Sequence, residues 1–489
     1  MDEVTRMITD RESRMPGIAM LGIAIFMAFP GVLMPMAYAG TMEFFFQRQK
    51  EEALPFAAVQ SVVDGRFEQL IDHQNPAVGT FSQRYYLDES YARTADAPVF
   101  FYICGEAACE KRSLNGAIRD FARKYHARLV ALEHRYYGKS LPYDDLSTWH
   151  LRYLSTTQAL QDLAYFQQTI TAKHHWKGKW VAFGGSYPGS LSAYYRAGYP
   201  ELVVGSLASS APVMAKADFI EYDAHVTRVA GVECANSMRE AIADMEQALS
   251  DAPRMAAIKA LFEASGVHDD IDFLYVVADI GAGAVQYGLR DRFCTALSDN
   301  RQTVLENYAA FARYIYRLFH TSALELSAQG AMSENPADYQ SGIGARSWMY
   351  QSCTEYGYWQ NAHPDPAQST RSALINAAYH QNLCNRLFGI QQPADTNLMN
   401  QTYYFPLMEE SVSRIYLTNG SDDPWSMLSM TSENGNAVNR NLSYAIIDGA
   451  AHCEDLRGSS QADSQSLRDA RQRMDVLLAT WLKQVAKIP

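Results

Sequence analysis

Between residues 98 and 208 the sequence alternates short apolar runs with stretches of helical spacing. This alternation restricts the fold more than any other feature. Residues 98–104 (PVFFYIC), 128–133 (RLVALE), 179–183 (KWVAF) and 203–208 (VVGSLA) read as buried strands. Residues 155–174, with Ser155 or Thr156 as N-cap, and 190–197, ended by Gly198 and Pro200, read as helices. Strands that alternate with helices build a mostly parallel sheet covered on both faces. Near residue 216 the texture becomes helical, as at 235–249, 253–264 and 302–319, until strand-like runs return at 413–418 and 442–447. A last helical run covers 464–486. The expected architecture is one α/β domain in two parts, 40–215 and 401–489, interrupted by a helical insertion at 216–400. The length of 489 residues agrees, since a single core stops growing near roughly 250–300 residues.

Residues 17–36 are apolar and uncharged and run into Ala37-Tyr38-Ala39. That pattern reads as a secretory signal peptide over 1–39, removed on export. A permanent anchor is the alternative, and Pro30 and Pro35 argue against it. No later segment is apolar enough to span a membrane. The expected location is secreted or periplasmic, or a lysosome-like compartment in a eukaryote. Export permits disulfides, but seven cysteines leave one over, and sequence alone does not fix which. Cys104 and Cys109 are close enough in sequence to close a small ring, with two buried thiols as the alternative. A net charge of -12 without a basic stripe argues against nucleic acid as a partner. No H-E-x-x-H or paired cysteine spacing marks a metal site, and no cofactor is implied.

Gly184-Gly185-Ser186-Tyr187-Pro188-Gly189 lies between a predicted strand and a predicted helix. This is the setting of a nucleophile elbow, in which a tight turn exposes a serine at the head of a helix. The G-x-S-x-G pattern would place Gly where Pro188 stands, and Gly189 follows at once. A serine hydroxyl needs a base that is itself oriented. Asp423, with Asp422 as a rival, lies in the loop after 413–418, and His452 lies just after 442–447. Both therefore sit at the carboxyl ends of strands, in the order Ser, acid, His. Ser186 is the expected nucleophile, His452 the base and Asp423 the residue that holds its tautomer. The backbone N–H of Tyr187 is one expected oxyanion donor. The second belongs to the segment Cys104-Gly105-Glu106-Ala107, with Gly105 as its candidate.

Eight segments in order carry a wider resemblance: FYICGEA (101–107), EHRYYGKSLP (133–142), LRYLSTTQALQD (151–162), FGGSYPGSLSAYYR (183–196), SSAPV (209–213), YQSCTEYGYWQ (350–360), NGSDDPW (419–425) and GAAHCEDL (449–456). The sequence resembles the proline-specific serine exopeptidases, the family of lysosomal Pro-X carboxypeptidase, dipeptidyl peptidase II and thymus-specific serine protease. The resemblance implies an α/β-hydrolase fold with an inserted helical cap domain and the triad Ser186, Asp423, His452. It also implies bridges Cys353–Cys384 and Cys234–Cys294, leaving Cys453 unpaired. Relatives carry a Gly-rich GNEG or GGEG loop where this chain has Cys104-Gly105-Glu106-Ala107, so the second oxyanion donor departs from their pattern.

An exopeptidase must hold a chain end. A free α-amino group calls for a carboxylate, and a free C-terminus for Arg or Lys. Glu106 is the candidate amine anchor. Arg135 is the candidate carboxylate anchor, against the reading of a structural ion pair. Tyr187, Trp348, Tyr356, Trp359 and Trp425 are available as walls of a proline pocket. The expected function is a serine exopeptidase that cleaves after proline or a small residue, with dipeptidyl aminopeptidase action favoured over carboxypeptidase action on the strength of Glu106. Peptides are the expected partners, and the sequence allows a homodimer. An esterase or lipase on the same fold, or a non-catalytic binding protein, are the alternatives.

Overall fold

A computed structural model describes residues 61–319, 321–339, 344–432 and 439–483. The expected signal peptide at 1–39 lies outside them. Eight strands form the main sheet: β1 (Val63–Leu70), β2 (Thr80–Asp88), β3 (Val99–Ile103), β4 (Arg128–Leu132), β5 (Trp180–Gly185), β6 (Val203–Ser209), then, after the short pair β7 (Lys216–Asp218) and β8 (Gly357–Trp359), β9 (Ile415–Gly420) and β10 (Ser443–Ile447). Their order is β1-β2-β4-β3-β5-β6-β9-β10. The pairs β1–β2 and β2–β4 are antiparallel and every other neighbour in the main sheet is parallel. This is the α/β-hydrolase arrangement. The antiparallel pair β1–β2 extends one edge and is absent from the apolar runs of the sequence.

All residues of β3, β4 and β5 are buried, as parallel strands covered on both faces require. Successive side chains go to opposite faces. Val99, Phe101 and Ile103 pack with Leu163, Phe166, Leu191 and Tyr195 from the helices Thr156–His174 and Tyr187–Gly198. Phe100 and Tyr102 pack on the other face with Ile118, Met474, Leu478 and Trp481 from Ala117–Tyr125 and Gln465–Lys483. Ser155 caps the helix Thr156–His174, its hydroxyl accepting the Gln158 N–H at 3.3 Å.

β3 pairs with β4 on one side and β5 on the other. The connections from β3 and β5 therefore leave the sheet in opposite directions, which opens a crevice at their carboxyl ends. Between β6 and β9 the chain is mainly helical, with β7 and β8 forming a small parallel sheet. Its central helix, Asp270–Gln286, is apolar and buried along most of its length. Disulfides Cys234–Cys294 and Cys353–Cys384 lie within this segment, Cys104–Cys109 closes the loop after β3, and Cys453 is a buried free thiol.

Candidate active site

Ser186 is the one residue between β5 and the helix Tyr187–Gly198. Its φ of 61° and ψ of -134° are costly for a residue with a Cβ. The surroundings enforce them: the Ser186 N–H donates to the Ser209 carbonyl at 2.9 Å, and its carbonyl accepts the Ser190 N–H at 3.1 Å. Pro188 falls in the first helical turn, where the missing N–H would have no intrahelical acceptor in any case. Gly189 supplies the close approach. A Cβ there would lie 2.8 Å from the Ser209 carbonyl oxygen and 3.0 Å from Ala211 Cβ.

The loops after β9 and β10 bring Asp423 and His452 together. His452 Nδ1 lies 2.8 Å from Asp423 Oδ2, with both side chains buried. The other Asp423 oxygen accepts the Trp425 N–H at 3.0 Å. Asp422 points elsewhere, to Arg290 Nη1 at 2.9 Å. Burial disfavours a charged His452 ring, but the Asp423 carboxylate outweighs it and holds the imidazole pKa well above its usual value. With Nδ1 committed to Asp423, Nε2 carries the reactive lone pair of the neutral ring. It is buried and has no hydrogen-bond partner among the described residues. Burial also raises the neighbouring Cys453 thiol.

The central helix braces this loop. The Gln286 carbonyl accepts the His452 N–H at 2.9 Å. The Gln286 side chain accepts from Trp425 Nε1 at 3.0 Å and Tyr222 OH at 2.7 Å, and donates to Tyr287 OH at 2.8 Å. The Tyr287 ring stands edge-on to His452, centroids 6.1 Å apart.

A cleft of about 1130 Å³, its open mouth included, opens on Ser186. Tyr187, Trp348, Tyr358, Trp359 and Trp425 are among its walls, as are Glu106 and Asp279. Tyr356 is not. It is fully buried behind Tyr187 and Trp348, with ring centroids 5.5 and 6.3 Å away, and its hydroxyl meets Thr156 Oγ1 at 2.5 Å. Tyr187 is the first helical residue, so its N–H has no acceptor within the helix. Its ring is fixed from below. His134 Nδ1 faces the Arg135 carbonyl at 2.8 Å and must donate. His134 Nε2 is then an acceptor for Tyr187 OH at 3.0 Å, while Gln351 Nε2 donates to the same hydroxyl at 2.9 Å. Burial pushes His134 down to about 4, which keeps it neutral.

The loop after β3 lies against the elbow. A Cβ on Gly105 would come within 2.2 Å of Pro188 Cγ, so only glycine fits between the two candidate oxyanion segments. Glu106 is 3% exposed and lines the cleft. Arg135 does not. It is fully buried, and its guanidinium is spent on Asp162 and on the carbonyls of Leu70, Ile71 and Tyr153. Those five contacts use all five of its donors, so it is a structural ion pair and not a substrate anchor. The arrangement supplies what nucleophilic acyl transfer requires: a partly exposed serine at a helix N-terminus that lines the cleft, an oriented imidazole and a buried carboxylate. Asp279, Gln286 and His380, which surround it, carry no motif in the sequence. Only the folded insertion brings them to the site.

A family model described as "Serine carboxypeptidase S28" matches residues 69–474. The "Probable serine protease EDA2" of Arabidopsis thaliana is 35% identical over 445 residues, covering 86% of this chain and 88% of its own. The "Thymus-specific serine protease" of Mus musculus is 30% identical over 454 residues, with 86% and 88% covered. The "Probable extracellular serine carboxypeptidase" of Arthroderma benhamiae is 26% identical over 503 residues, with 88% and 68% covered. With a matching family model across most of its length and relatives of this identity on an α/β-hydrolase sheet, the chain belongs to the serine carboxypeptidase S28 family of serine peptidases.

Proposed function

We propose that the protein is an exported serine exopeptidase that removes dipeptides from peptide amino termini, cleaving after proline or a small residue. The carrying observation is the charge of the cleft. The described residues lining it include two carboxylates, Glu106 and Asp279, and neither lysine nor arginine. A carboxyl terminus would enter without a cation to receive it, whereas an amino terminus meets opposite charge. The aromatic rings of Tyr187, Trp348, Tyr358 and Trp425 offer flat apolar walls suited to a proline ring. Export is supported by the apolar segment 17–36 with its Ala37-Tyr38-Ala39 site and by the extracellular name of one relative.

In the proposed reaction Ser186 Oγ attacks the carbonyl of the second residue while His452 Nε2 takes its proton. Asp423 stabilises the imidazolium. The backbone N–H of Tyr187 and one from the Gly105 loop receive the oxyanion. Collapse breaks the C–N bond, and His452 returns its proton to the leaving amine. Water, deprotonated by His452, then attacks the acyl-enzyme, releasing the dipeptide and restoring Ser186. Mass spectrometry of products from one proline-containing peptide tests the reading. Loss of two residues from the amino end is expected. Loss of one residue from the carboxyl end, or full activity in Ser186→Ala, overturns it.

A further inference from the structure

One corner of the cleft is lined by Asp279 and His380. Asp279 sits on the helix Asp270–Gln286, and its side chain is 30% exposed. Arg371 Nη2 holds it at 2.8 Å, and the Tyr275 hydroxyl donates to it. Arg371 is buried between the rings of Tyr222 and Tyr275, at 5.4 and 5.6 Å, and also feels Asp223. Asp279 and Asp223 thus share the single Arg371 guanidinium.

The tautomer of His380 follows from its neighbours. Asn361 Nδ2 donates to Asp218 Oδ1 at 2.7 Å, so Asn361 Oδ1 is an acceptor. It faces His380 Nδ1 at 2.8 Å, which must therefore carry the proton. His380 Nε2 is left as a bare acceptor, buried and with no hydrogen-bond partner among the described residues. The ring is 1% exposed and cannot turn: it stacks on Trp359 at 4.6 Å and meets Tyr275 edge-on at 5.3 Å. A buried acceptor without a donor is costly, and a ligand with N–H groups relieves it.

We propose that Asp279 and His380 form a subsite for a primary ammonium group of the substrate, either its α-amino terminus or a lysine side chain at the same position. The proposal rests on the peptidase reading above and adds the group that measures chain length. Asp279 and Gln286 are seven residues apart, hence on one helix face and separated by about 10 Å of rise. Gln286 is bonded to the His452 backbone. Two extended residues span about 7 Å and a hydrogen bond adds about 3 Å. An ammonium held at Asp279 would thus lie about one dipeptide's length from the end of the helix that contacts the His452 loop.

Three p-nitroanilides test this: Ala-Pro, acetyl-Ala-Pro and acetyl-Lys-Pro. Asp279→Asn is expected to lower kcat/KM about 10–100-fold, through KM, for substrates with the recognised ammonium. It is expected to leave acetyl-Ala-Pro within about twofold. A loss confined to Ala-Pro assigns the α-ammonium, and one confined to acetyl-Lys-Pro assigns the side chain. His380→Phe keeps the stacked ring, removes the acceptor and gives a smaller loss of the same selectivity. It carries the test if the Asp279 variant does not fold. Equal losses for free and blocked substrates, or none, overturn the subsite. A second readout needs no turnover: Ala-Pro dipeptide, and not acetyl-Ala-Pro, should slow fluorophosphonate labelling in the wild type, and Asp279→Asn should abolish that protection. Protection without cleavage of any anilide would sink the dipeptidase reading and leave the subsite standing. Faster cleavage of Ala-Pro than of acetyl-Ala-Pro that Asp279→Asn leaves unchanged would do the reverse.

Discussion

Asp422 and Asp423 differ by one position and by everything around them. The first reaches out to Arg290, and the second is buried against His452. Asp423→Asn should cost about 10³–10⁴-fold in kcat, whereas Asp422→Asn should stay within about threefold, a contrast steady-state kinetics can read. The pH profile carries the same signature. A base works only unprotonated, and the His452 pKa is raised above the ordinary 6.5. Activity should therefore rise with pH through a limb lying above that value, and Asp423→Asn should shift the limb downward. In the sequence the resemblance through NGSDDPW favours Asp423, but local pattern alone leaves Asp422 as a rival, because the Arg290 that occupies it lies 132 positions away. The same limit applies to Tyr356 and Tyr358. Both belong to one aromatic cluster, but only the packing of the insertion decides that Tyr358 faces the cleft.

The element that organises the site is the helix Asp270–Gln286, whose last residue binds the loops of both Asp423 and His452. Gln286→Leu removes its side-chain bonds to Trp425, Tyr222 and Tyr287. It should lower stability by about 1–3 kcal/mol for each partner left unpaired, measured by urea denaturation. On the opposite wall, Gly189→Ala should be destabilising by about 1–3 kcal/mol, since the new methyl would meet the Ser209 carbonyl and Ala211. Thermal denaturation checks this, and a neutral result would mean that the helix Tyr187–Gly198 can slide on β6. The strand, turn and helix around Ser186 could be read directly because each signal is local. β1 and β2 could not. In β1, VDGRFEQL, only Gln69 is buried, so no apolar run marks it. Its strand character comes from pairing with β2, which in turn pairs with β4.

At the scale of the whole molecule, buried titrating groups oppose one another. Burial lifts Glu133 and Glu355 to about 7 and pushes His134 to about 4 and His380 to about 3. Each glutamate keeps a proton that the unfolded chain has released above 4.5, so it makes stability fall as pH rises toward 7. Each histidine refuses a proton that the unfolded chain takes below 6.5, so it makes stability rise with pH over that window. Between 4.5 and 6.5 the slopes of these four groups oppose one another. Glu355→Gln should tilt the balance, giving a stability that climbs with pH by about 1.4 kcal/mol per unit more than the wild type, measured by denaturant midpoints across that range. Cys234–Cys294 spans 60 positions of the insertion, and replacing both residues by alanine should cost about 4 kcal/mol. The bond between the Gln286 carbonyl and the His452 N–H has a further consequence. Loosening the carboxyl end of the helix Asp270–Gln286 would therefore also slacken the loop that presents the His452 imidazole.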